Sequence, residues 1–368
     1  MRIFLCAGEA SGDRYAAALA RLLAKEVPGV TLEGVGGPRL GAILDLLADS
    51  TRWGAISIVE SLKVVGRILP AYFKIRRRLA EVQPGIFIPI DFGFLNVRLA
   101  RFAKQKGWKV LYFIPRGSWK HNHKAEDLRE QKEVIDGGVS PFPWSAKAMF
   151  DAGMDVRFYG HPLKQVLRDE GVKPMLNSKR IALLPGSREQ EIARNLELMA
   201  EAVEGLGPFE LEVAVAPTTS AESVRRTWSR FSKRAIITTE GDIYGVLSRA
   251  RAAIVCSGTA TLEASLMGVP MVVVYAASKA MQVEAKLIRF KTPKWISLPN
   301  ITLQRDLVPE FVGVAIDGGE VRKAVAGILE DGPLREAQRQ GLSEVDEILG
   351  PSNALDETVA WIKTWAET

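Results

Sequence analysis

Short apolar runs alternate with amphipathic helical patterns along most of this 368-residue chain. Each run is bounded by glycine, proline or polar residues, and most are followed by apolar residues that recur every three or four positions. Strands separated by helices pair in parallel, because the intervening helix carries the chain back before the next strand begins. The pattern therefore predicts an α/β fold, with helices on both faces of mostly parallel sheets.

The alternation occurs twice, which predicts two doubly wound, Rossmann-like domains. We expect the first at 1–165 and the second at 175–350, with a cleft between the carboxyl ends of their sheets. An apolar helix at 353–366 must pack on one of them, so 353–368 is expected to return to the first domain. The predicted strands are 2–6, 30–35, 85–90, 109–114, 134–141 and 156–159, then 180–184, 211–216, 236–239, 252–256 and 271–275.

Composition excludes several classes of protein. Apolar residues make up 47% of the chain and charged residues 25%, which is typical of globular domains and not of disordered ones. Two cysteines are too few for a disulfide framework or a Cys-rich metal site. The amino terminus becomes polar too early for a signal peptide, and no apolar run reaches the roughly 18–20 residues of a membrane span. A cytoplasmic protein is expected.

The positive charge is concentrated in the first half. Residues 1–160 contain 24 Lys and Arg against 16 Asp and Glu, whereas 161–368 contain 25 against 27. Either an anionic partner or a solubilising surface would explain the excess. The segment Lys63–Arg78 is basic, amphipathic and free of acidic residues, which favours an anionic membrane surface; a surface helix over Ser61–Arg78 that packs on the core is the alternative. No nucleic-acid-binding motif is present, so no nucleic-acid partner is expected.

Two strand-to-helix junctions of the first half carry candidate catalytic carboxylates. In the first, at 8–13 (GEASGD), the carboxylate of Glu9 suits sugar hydroxyls better than phosphate, while Ser11 or Asp13 could simply cap the next helix. In the second, Asp91 ends a buried strand, where desolvation would raise its pKa toward that of a general base. An N-cap role for Asp91 is the alternative.

Two junctions of the second half are candidate anion sites. In the first, the N–H groups of Gly186 and Ser187 can meet an anion at a helix N-terminus, and Arg188 can bind a diphosphate. The second opens a helix with small hydroxyl-bearing residues, and Glu263 within it could bind ribose hydroxyls. This second junction consists of Ser257, Gly258, Thr259, Ala260 and Thr261.

The histidines are weaker candidates. His161 lies at the domain break, where a hinge or acceptor contact competes with a structural hydrogen bond; we group Ser11 and Asn96 with it as acceptor or hinge candidates. His121 and His123 lack a third ligand, so no metal site is predicted, and no other cofactor is expected.

Taken together, the motifs resemble the lipid-A-disaccharide synthase family in order and spacing, from about Arg2 to Glu310. The motifs are GEASGD at 8–13, VGGPR at 35–39, Asp91, FYGHPL at 158–163, LLPGSR at 183–188, SGTATLE at 257–263 and ISLPN at 296–300.

The resemblance implies an inverting GT-B glycosyltransferase at the inner face of the inner membrane. Such an enzyme joins UDP-2,3-diacylglucosamine to 2,3-diacylglucosamine 1-phosphate without a metal and releases UDP. It implies that Asp91 is the general base and that Glu9 lies near the reacting sugars. Arg188, Glu263 and Asn300 match donor-site residues of the family.

The chain departs from the family pattern in its acceptor half. A Ser-Pro-Ser-x-Trp-Ala-Trp type segment is replaced by Pro115–Lys120, and an acidic residue three positions after Asp91 by Phe94. Arg116 and Lys120 remain compatible with an anionic acceptor. Three alternatives stay open: a GT-B transferase with another lipid-linked acceptor, a UDP-sugar 2-epimerase, and a non-catalytic UDP-sugar-binding paralogue.

Overall fold

The computed structural model describes residues 1–51, 53, 58–173, 175, 178–287 and 293–366, with the backbone alone at 58–64, 67, 94 and 366. The chain divides into two compact units, Met1–Asp169 with Leu349–Thr368, and Glu170–Ile348. Each unit has its own parallel sheet flanked by helices, so the predicted class of two Rossmann-like α/β domains is confirmed. Residues 174, 176 and 177, near the predicted boundary between the two domains, lie outside the described residues.

The sheet of the first unit has the order β3-β2-β1-β4-β5-β6-β7 within the described residues, and neighbouring strands are parallel. Its central strands are apolar at nearly every position because helices cover both faces. The strands are β1 (Arg2–Ala7), β2 (Thr31–Gly36), β3 (Leu46–Asp49), β4 (Ile86–Ile90), β5 (Lys109–Phe113), β6 (Gly137–Val139) and β7 (Val156–Arg157).

The first helix begins three residues earlier than the expected start at Asp13, because Glu9 occupies its N-cap position. Ser11 and Asp13 therefore lie in the first helical turn rather than in a loop. The helices are α1 (Ala10–Glu26), α2 (Pro38–Gly41), α3 (Ile58–Glu81), α4 (Gly93–Gln105), α5 (Ala125–Lys132), α6 (Pro143–Asp151) and α7 (Pro162–Glu170).

Asp13 does not cap its own helix. Its carboxylate accepts hydrogen bonds from the N–H groups of Gly37, Arg39 and Leu40, at 2.7, 3.0 and 3.0 Å. These are N–H groups at the start of α2, which have no partner within that helix. Asp13 thereby joins the GEASGD motif to the VGGPR motif.

Helix α3 carries two apolar stripes. Ala71, Ile75 and Leu79 are buried in the core, as the surface-helix alternative requires. Val65, Leu69 and Phe73 follow the same four-residue spacing but are 50%, 48% and 56% exposed. The side chains of Lys63 and Arg67 lie outside the described residues. No described helix is both long and apolar enough to span a membrane.

The sheet of the second unit has the order β10-β9-β8-β11-β12-β13 among the described residues, again all parallel. The sequence did not indicate β13, nor β3 of the first unit. Both are four-residue strands at sheet edges, too short to show a period. The strands are β8 (Arg180–Leu184), β9 (Glu210–Val215), β10 (Ile236–Glu240), β11 (Ala250–Cys256), β12 (Met271–Ala276) and β13 (Glu310–Gly313).

Helices of the second unit cover this sheet with a core of aliphatic side chains. They are α8 (Glu189–Val203), α9 (Ala221–Trp228), α10 (Ile243–Ser248), α11 (Thr259–Leu266), α12 (Lys279–Leu287), α13 (Leu298–Leu303), α14 (Gly318–Leu329) and α15 (Pro333–Ile348).

The last helix, α16 (Ala354–Ala366), belongs to the first unit and packs against α1. Leu355, Val359 and Ile362 are buried. The guanidinium of Arg157 lies 3.8 Å from the centre of the Trp361 ring, a cation–π contact that links α16 to β7.

Candidate functional site

In each sheet the strand order reverses once along the chain, and this reversal creates a crevice. In the first unit the chain passes from β1 outward to β3 and then resumes on the other side of β1 with β4. The loops after β1 and β4 therefore leave the sheet in opposite directions and open a crevice between them. Glu9 follows β1 and Asp91 follows β4, so the topology brings both carboxylates to one edge.

The backbone at Asp91 adopts an uncommon conformation. Asp91 and Phe92 have φ angles of +49° and +47°, in the left-handed region that side chains other than glycine seldom adopt. Such residues persist where surrounding contacts hold them, and they are concentrated at functional sites. The close approach of Phe92 also explains why residue 8 is a glycine, since a Cβ at Gly8 would lie 2.1 Å from the Phe92 ring.

Three hydrogen bonds hold the main chain of Asp91. Its N–H donates to the carbonyl of Phe113 at 3.2 Å. Its carbonyl accepts from Nδ2 of Asn96 at 2.9 Å and from the hydroxyl of Tyr112 at 3.1 Å. Burial raises the pKa of Tyr112, so its hydroxyl remains a donor.

The buried Nδ2 of Asn96 also lies 3.0 Å from the carbonyl of Cys6 and 3.2 Å from that of Ile90. Asn96 thus bridges the ends of β1 and β4 beneath the crevice. The sequence indicated Asn96 as an acceptor or hinge candidate; in the structure the hydrogen bonds of its Nδ2 support the loop that follows β4.

Asp91 has the electrostatics of a general base. Burial, and after it the negative charge of Glu9, raise the pKa of Asp91 to about 6, against an opposing hydrogen bond from the N–H of Phe92. A carboxylate with this pKa is largely ionised at pH 7 and still basic enough to accept a proton.

The ring of His161 is enclosed by contacts within the first unit. It is buried, its Nδ1 accepts a hydrogen bond from the N–H of Leu163 at 3.1 Å, and its ring packs edge-on against Tyr15 and Phe142. Burial lowers the pKa of His161 to about 3. The ring is therefore neutral near pH 7 and is not a proton carrier there.

Arg116 is held by acidic residues of α5. Its Nη2 lies 2.6 Å from Oδ1 of Asp127 and 2.9 Å from Oε2 of Glu130. The side chain crosses above Gly93, where a Cβ would lie 2.1 Å from the Cγ of Arg116. These carboxylates balance the charge that the sequence had suggested for an anionic acceptor. The side chain of Phe94 lies outside the described residues.

The second unit has its crevice between β8 and β11, where its strand order reverses. Gly186, Ser187 and Arg188 follow β8, and the segment 257–261 follows β11. Both predicted anion sites therefore lie at one edge of one sheet. Gly258 is the N-cap of α11 and has no side chain with which to cap it; the N-terminus of a helix favours an anion.

The hydroxyl groups of Ser257 and Thr261, after β11, form hydrogen bonds within the protein. Oγ of Ser257 donates to the carbonyl of Ile296 at 2.8 Å. Oγ1 of Thr261 donates to the carbonyl of Gly258 at 2.8 Å and accepts from the N–H of Leu298 at 3.1 Å. Thr259 and Ala260 are half-buried at the helix start. The hydroxyls thus fix this loop to the ISLPN motif.

Asn300 and Glu263 are both buried. Nδ2 of Asn300 donates to the Val308 carbonyl and to Glu310, and its Oδ1 accepts from the N–H groups of Leu307 and Val308, at 2.8–2.9 Å. All four bonds stay within residues 300–310. Glu263 accepts from the hydroxyl of Tyr244 at 3.4 Å.

Glu310 is a supporting residue that no motif indicated. Its carboxylate accepts from the N–H groups of Ile296 and Ser297, from Oγ of Ser297 and from Asn300, at 2.6–2.9 Å. Among the described ranges, no three His, Cys, Asp or Glu residues are grouped so that they could hold a metal ion.

Sequence comparison identifies relatives along nearly the whole chain. A family model described as Lipid-A-disaccharide synthetase matches residues 3–360. The chain is 32% identical over 386 residues to the lipid-A-disaccharide synthase of Geobacter sulfurreducens, covering 98% of this chain and 96% of that protein. It is 29% identical over 376 residues to that of Syntrophus aciditrophicus, covering 98% and 97%.

Solved structures share the fold. A putative UDP-N-acetylglucosamine 2-epimerase from Listeria monocytogenes has a TM-score of 0.67 at 14% identity, covering 100% of this chain and 96% of that chain. The Neisseria meningitidis UDP-GlcNAc 2-epimerase bound to UDP-GlcNAc has 0.64 at 12%, covering 100% of both. The calicheamicin glycosyltransferase CalG4 has 0.57 at 14%, covering 99% and 98%. These likenesses confirm the GT-B fold.

The raised pKa of Asp91 can be measured directly. We expect carboxyl-carbon NMR titration to give a pKa near 6, and Glu9→Gln to lower it, because that change removes a neighbouring negative charge. The pKa should stay above the usual value of about 3.9, since burial is the larger cause. Exposed Asp151 serves as the internal control. A pKa of Asp91 near 4, or one that Glu9→Gln leaves unchanged, would contradict this electrostatic account.

Proposed function

The chain belongs to the lipid-A-disaccharide synthase family of glycosyltransferases, and from that premise we propose that it joins UDP-2,3-diacylglucosamine to 2,3-diacylglucosamine 1-phosphate. The products are a β-1′,6-linked disaccharide 1-phosphate and UDP. The observation that carries the proposal is the placement of Asp91, a carboxylate of raised pKa, at the strand-order reversal of the first unit.

In this mechanism Asp91 takes the proton of the acceptor 6-hydroxyl. The oxygen forms a bond to the anomeric carbon of the donor as the bond from that carbon to the diphosphate breaks, and the electron pair leaves with UDP. Attack from the face opposite the leaving group inverts the configuration. Glu9 keeps the pKa of Asp91 high and offers its own carboxylate to sugar hydroxyls.

The second unit supplies the donor site in this proposal. Arg188 and the N-terminus of α11 after Gly258 stabilise the negative charge that develops on the departing diphosphate. One such preorganised donor can lower a barrier by about 3–4 kcal/mol. The first unit, which includes α16, then receives the acceptor.

The reaction is tested by UDP release from UDP-2,3-diacylglucosamine in detergent micelles, with and without the acceptor. We expect release only with the acceptor, together with a disaccharide product. Asp91→Asn should lower kcat by about 10²- to 10⁴-fold, the usual contribution of a general base, and leave UDP binding unchanged. Asp151→Asn, an exposed aspartate of the same unit, is the matched control.

Other outcomes of this assay would identify the alternatives. Conversion of the donor without an acceptor, and without a disaccharide, would indicate an epimerase. UDP release only with a different lipid-linked acceptor would indicate a changed acceptor specificity. Phe94 and Pro115–Lys120, which depart from the family pattern, would then be the residues that explain it. Near-normal turnover by Asp91→Asn would contradict the base assignment.

We further propose that α3 docks the first unit on the anionic inner face of the membrane that holds both lipid substrates. The exposed stripe of Val65, Leu69 and Phe73 would enter the lipid, since a buried face of the same helix already packs on the core. Exposed Lys74 flanks the stripe, and a basic residue near an anionic surface contributes about 1 kcal/mol. The guanidinium of Arg77 lies 2.6 Å from Oε1 of Glu81, which balances its charge.

Vesicle sedimentation tests this docking. A Leu69→Ser, Phe73→Ser double variant should bind anionic vesicles at least roughly tenfold more weakly, because each apolar side chain contributes about 1.5–3 kcal/mol when buried. Phe150→Ser removes an exposed aromatic side chain from α6 and should change nothing. Equal binding by the double variant and wild type would contradict a role for α3.

A further inference from the structure

A buried carboxylate lies against the loop that follows β8. Glu191 belongs to the first turn of α8 and is 4% exposed. The backbone of Ser187 and Arg188 and the thiol of Cys256 interact with its carboxylate and hold the pKa of Glu191 down against the effect of burial. Its Oε1 also lies 3.8 Å from Nη1 of Arg188. One carboxylate therefore contacts both the backbone and the side chain of the candidate diphosphate loop.

The loop is wrapped closely around this carboxylate. Gly186 has a φ of +109°, a conformation that disfavours every L side chain. A Cβ at Gly186 would also lie 2.5 Å from Oε2 of Glu191. The path of the loop and the position of the carboxylate consequently depend on each other.

Asn195 fixes the same loop from one turn further along α8. Its Nδ2 donates to the carbonyl of Pro185 at 2.9 Å, and its Oδ1 accepts from the N–H of Ala276 at 3.0 Å. The amide joins the chain after β8 to the end of β12. One face of α8 thus holds the segment that presents Arg188.

Opposing influences act on the pKa of Glu191, and the neighbouring Cys256 and Tyr275 carry no charge that would affect it. Burial raises the pKa of Glu191, although Arg188 and the loop N–H groups oppose the shift. Cys256 and Tyr275 also face it, and burial raises the pKa of both, so neither carries charge near pH 7. Nε of Arg194 donates to the carbonyl of Ala276 at 2.9 Å, and the charge of Arg194 opposes the rise in the pKa of Tyr275.

A diphosphate at Arg188 would bring two or more negative charges close to the Glu191 carboxylate. Like charges disfavour ionisation of a carboxyl, so its pKa would rise further on binding. We propose that Glu191 is a positioning residue for the donor diphosphate: it holds Arg188 and its loop in place, and it takes one proton from solvent when the diphosphate binds. This inference rests on the proposed function, in which Arg188 contacts the diphosphate.

Calorimetric titration of the full chain with UDP, from about pH 5.5 to about pH 8, tests the proposal. The proteins compared are wild type, Glu191→Gln and Glu191→Ala. Glu197→Gln, at an exposed position of the same helix, is the control and should bind as wild type does. Ionisation of UDP itself is common to all of them and cancels in the ratio of their dissociation constants.

We expect the ratio of the wild-type to the Glu191→Gln dissociation constant to be smallest at the lowest pH. It should rise with pH as the carboxylate becomes charged, toward tenfold for each unit by which the diphosphate raises its pKa. A purely structural role for Glu191 would not change this ratio with pH. Glu191→Ala should bind UDP roughly tenfold or more weakly at every pH, because the loop N–H groups lose their buried acceptor.

A ratio that is independent of pH, or a Glu191→Ala variant that binds as wild type does, would overturn the proposal. If Glu191→Ala does not fold, the ratio for Glu191→Gln still decides the question. A wild-type chain that binds no UDP would overturn the proposed function itself, whereas a flat ratio with normal UDP binding would overturn only the role of Glu191.

Discussion

The reversal of strand order in each parallel sheet is the constraint on which both candidate sites depend. Parallel strands need long crossover connections, so a sheet that grows on both sides of an early strand must reverse its winding once. At that point the loops after two adjacent strands separate and leave a crevice. In this chain the reversal lies between β1 and β4 and between β8 and β11, and each of the four loops concerned carries a motif.

The site of the first unit contains two consecutive residues in an unfavourable backbone conformation. Consecutive left-handed residues at Asp91 and Phe92 cost about 1–3 kcal/mol each. Buried hydrogen bonds from Asn96 and Tyr112 to the Asp91 carbonyl offset part of that cost. The resulting turn places half-buried Asp91 where burial and the charge of Glu9 both raise its pKa. Local strain and a raised pKa thus share one structural origin.

The sequence predicted the fold and the placement of the motifs better than the function of each side chain. The recurrence of apolar residues and the short apolar runs located the long buried strands. The strand topology then placed Glu9 and Asp91 at one edge of the first sheet, and Arg188 and Gly258 at one edge of the second. Short edge strands such as β3 carry no such period. GEASGD was expected as a loop, but the helix includes most of it and Asp13 caps α2 instead.

Supporting residues could not be found from local patterns, because their partners are distant in the chain. Tyr112 and Glu310 contact residues 21 and 10–14 positions away, and neither belongs to a motif. Arg116 appeared free for an anion, yet two carboxylates of the following helix hold it. Asn300 matches a donor-site position, and its side-chain amide makes four hydrogen bonds within residues 300–310. Residue type and spacing locate a site, whereas hydrogen-bond partners determine which side chains remain available to a ligand.

The most direct test of the central claim, that Asp91 acts as a base whose pKa its surroundings raise, is the pH dependence of kcat/KM. We expect kcat/KM to rise with one-proton dependence through an apparent pKa of about 6, and Glu9→Gln to move this midpoint to lower pH. A phosphate monoester on the acceptor also titrates near pH 6, but Glu9→Gln leaves that ionisation unchanged. A profile that is flat through this range, or a midpoint that Glu9→Gln does not move, would contradict the account.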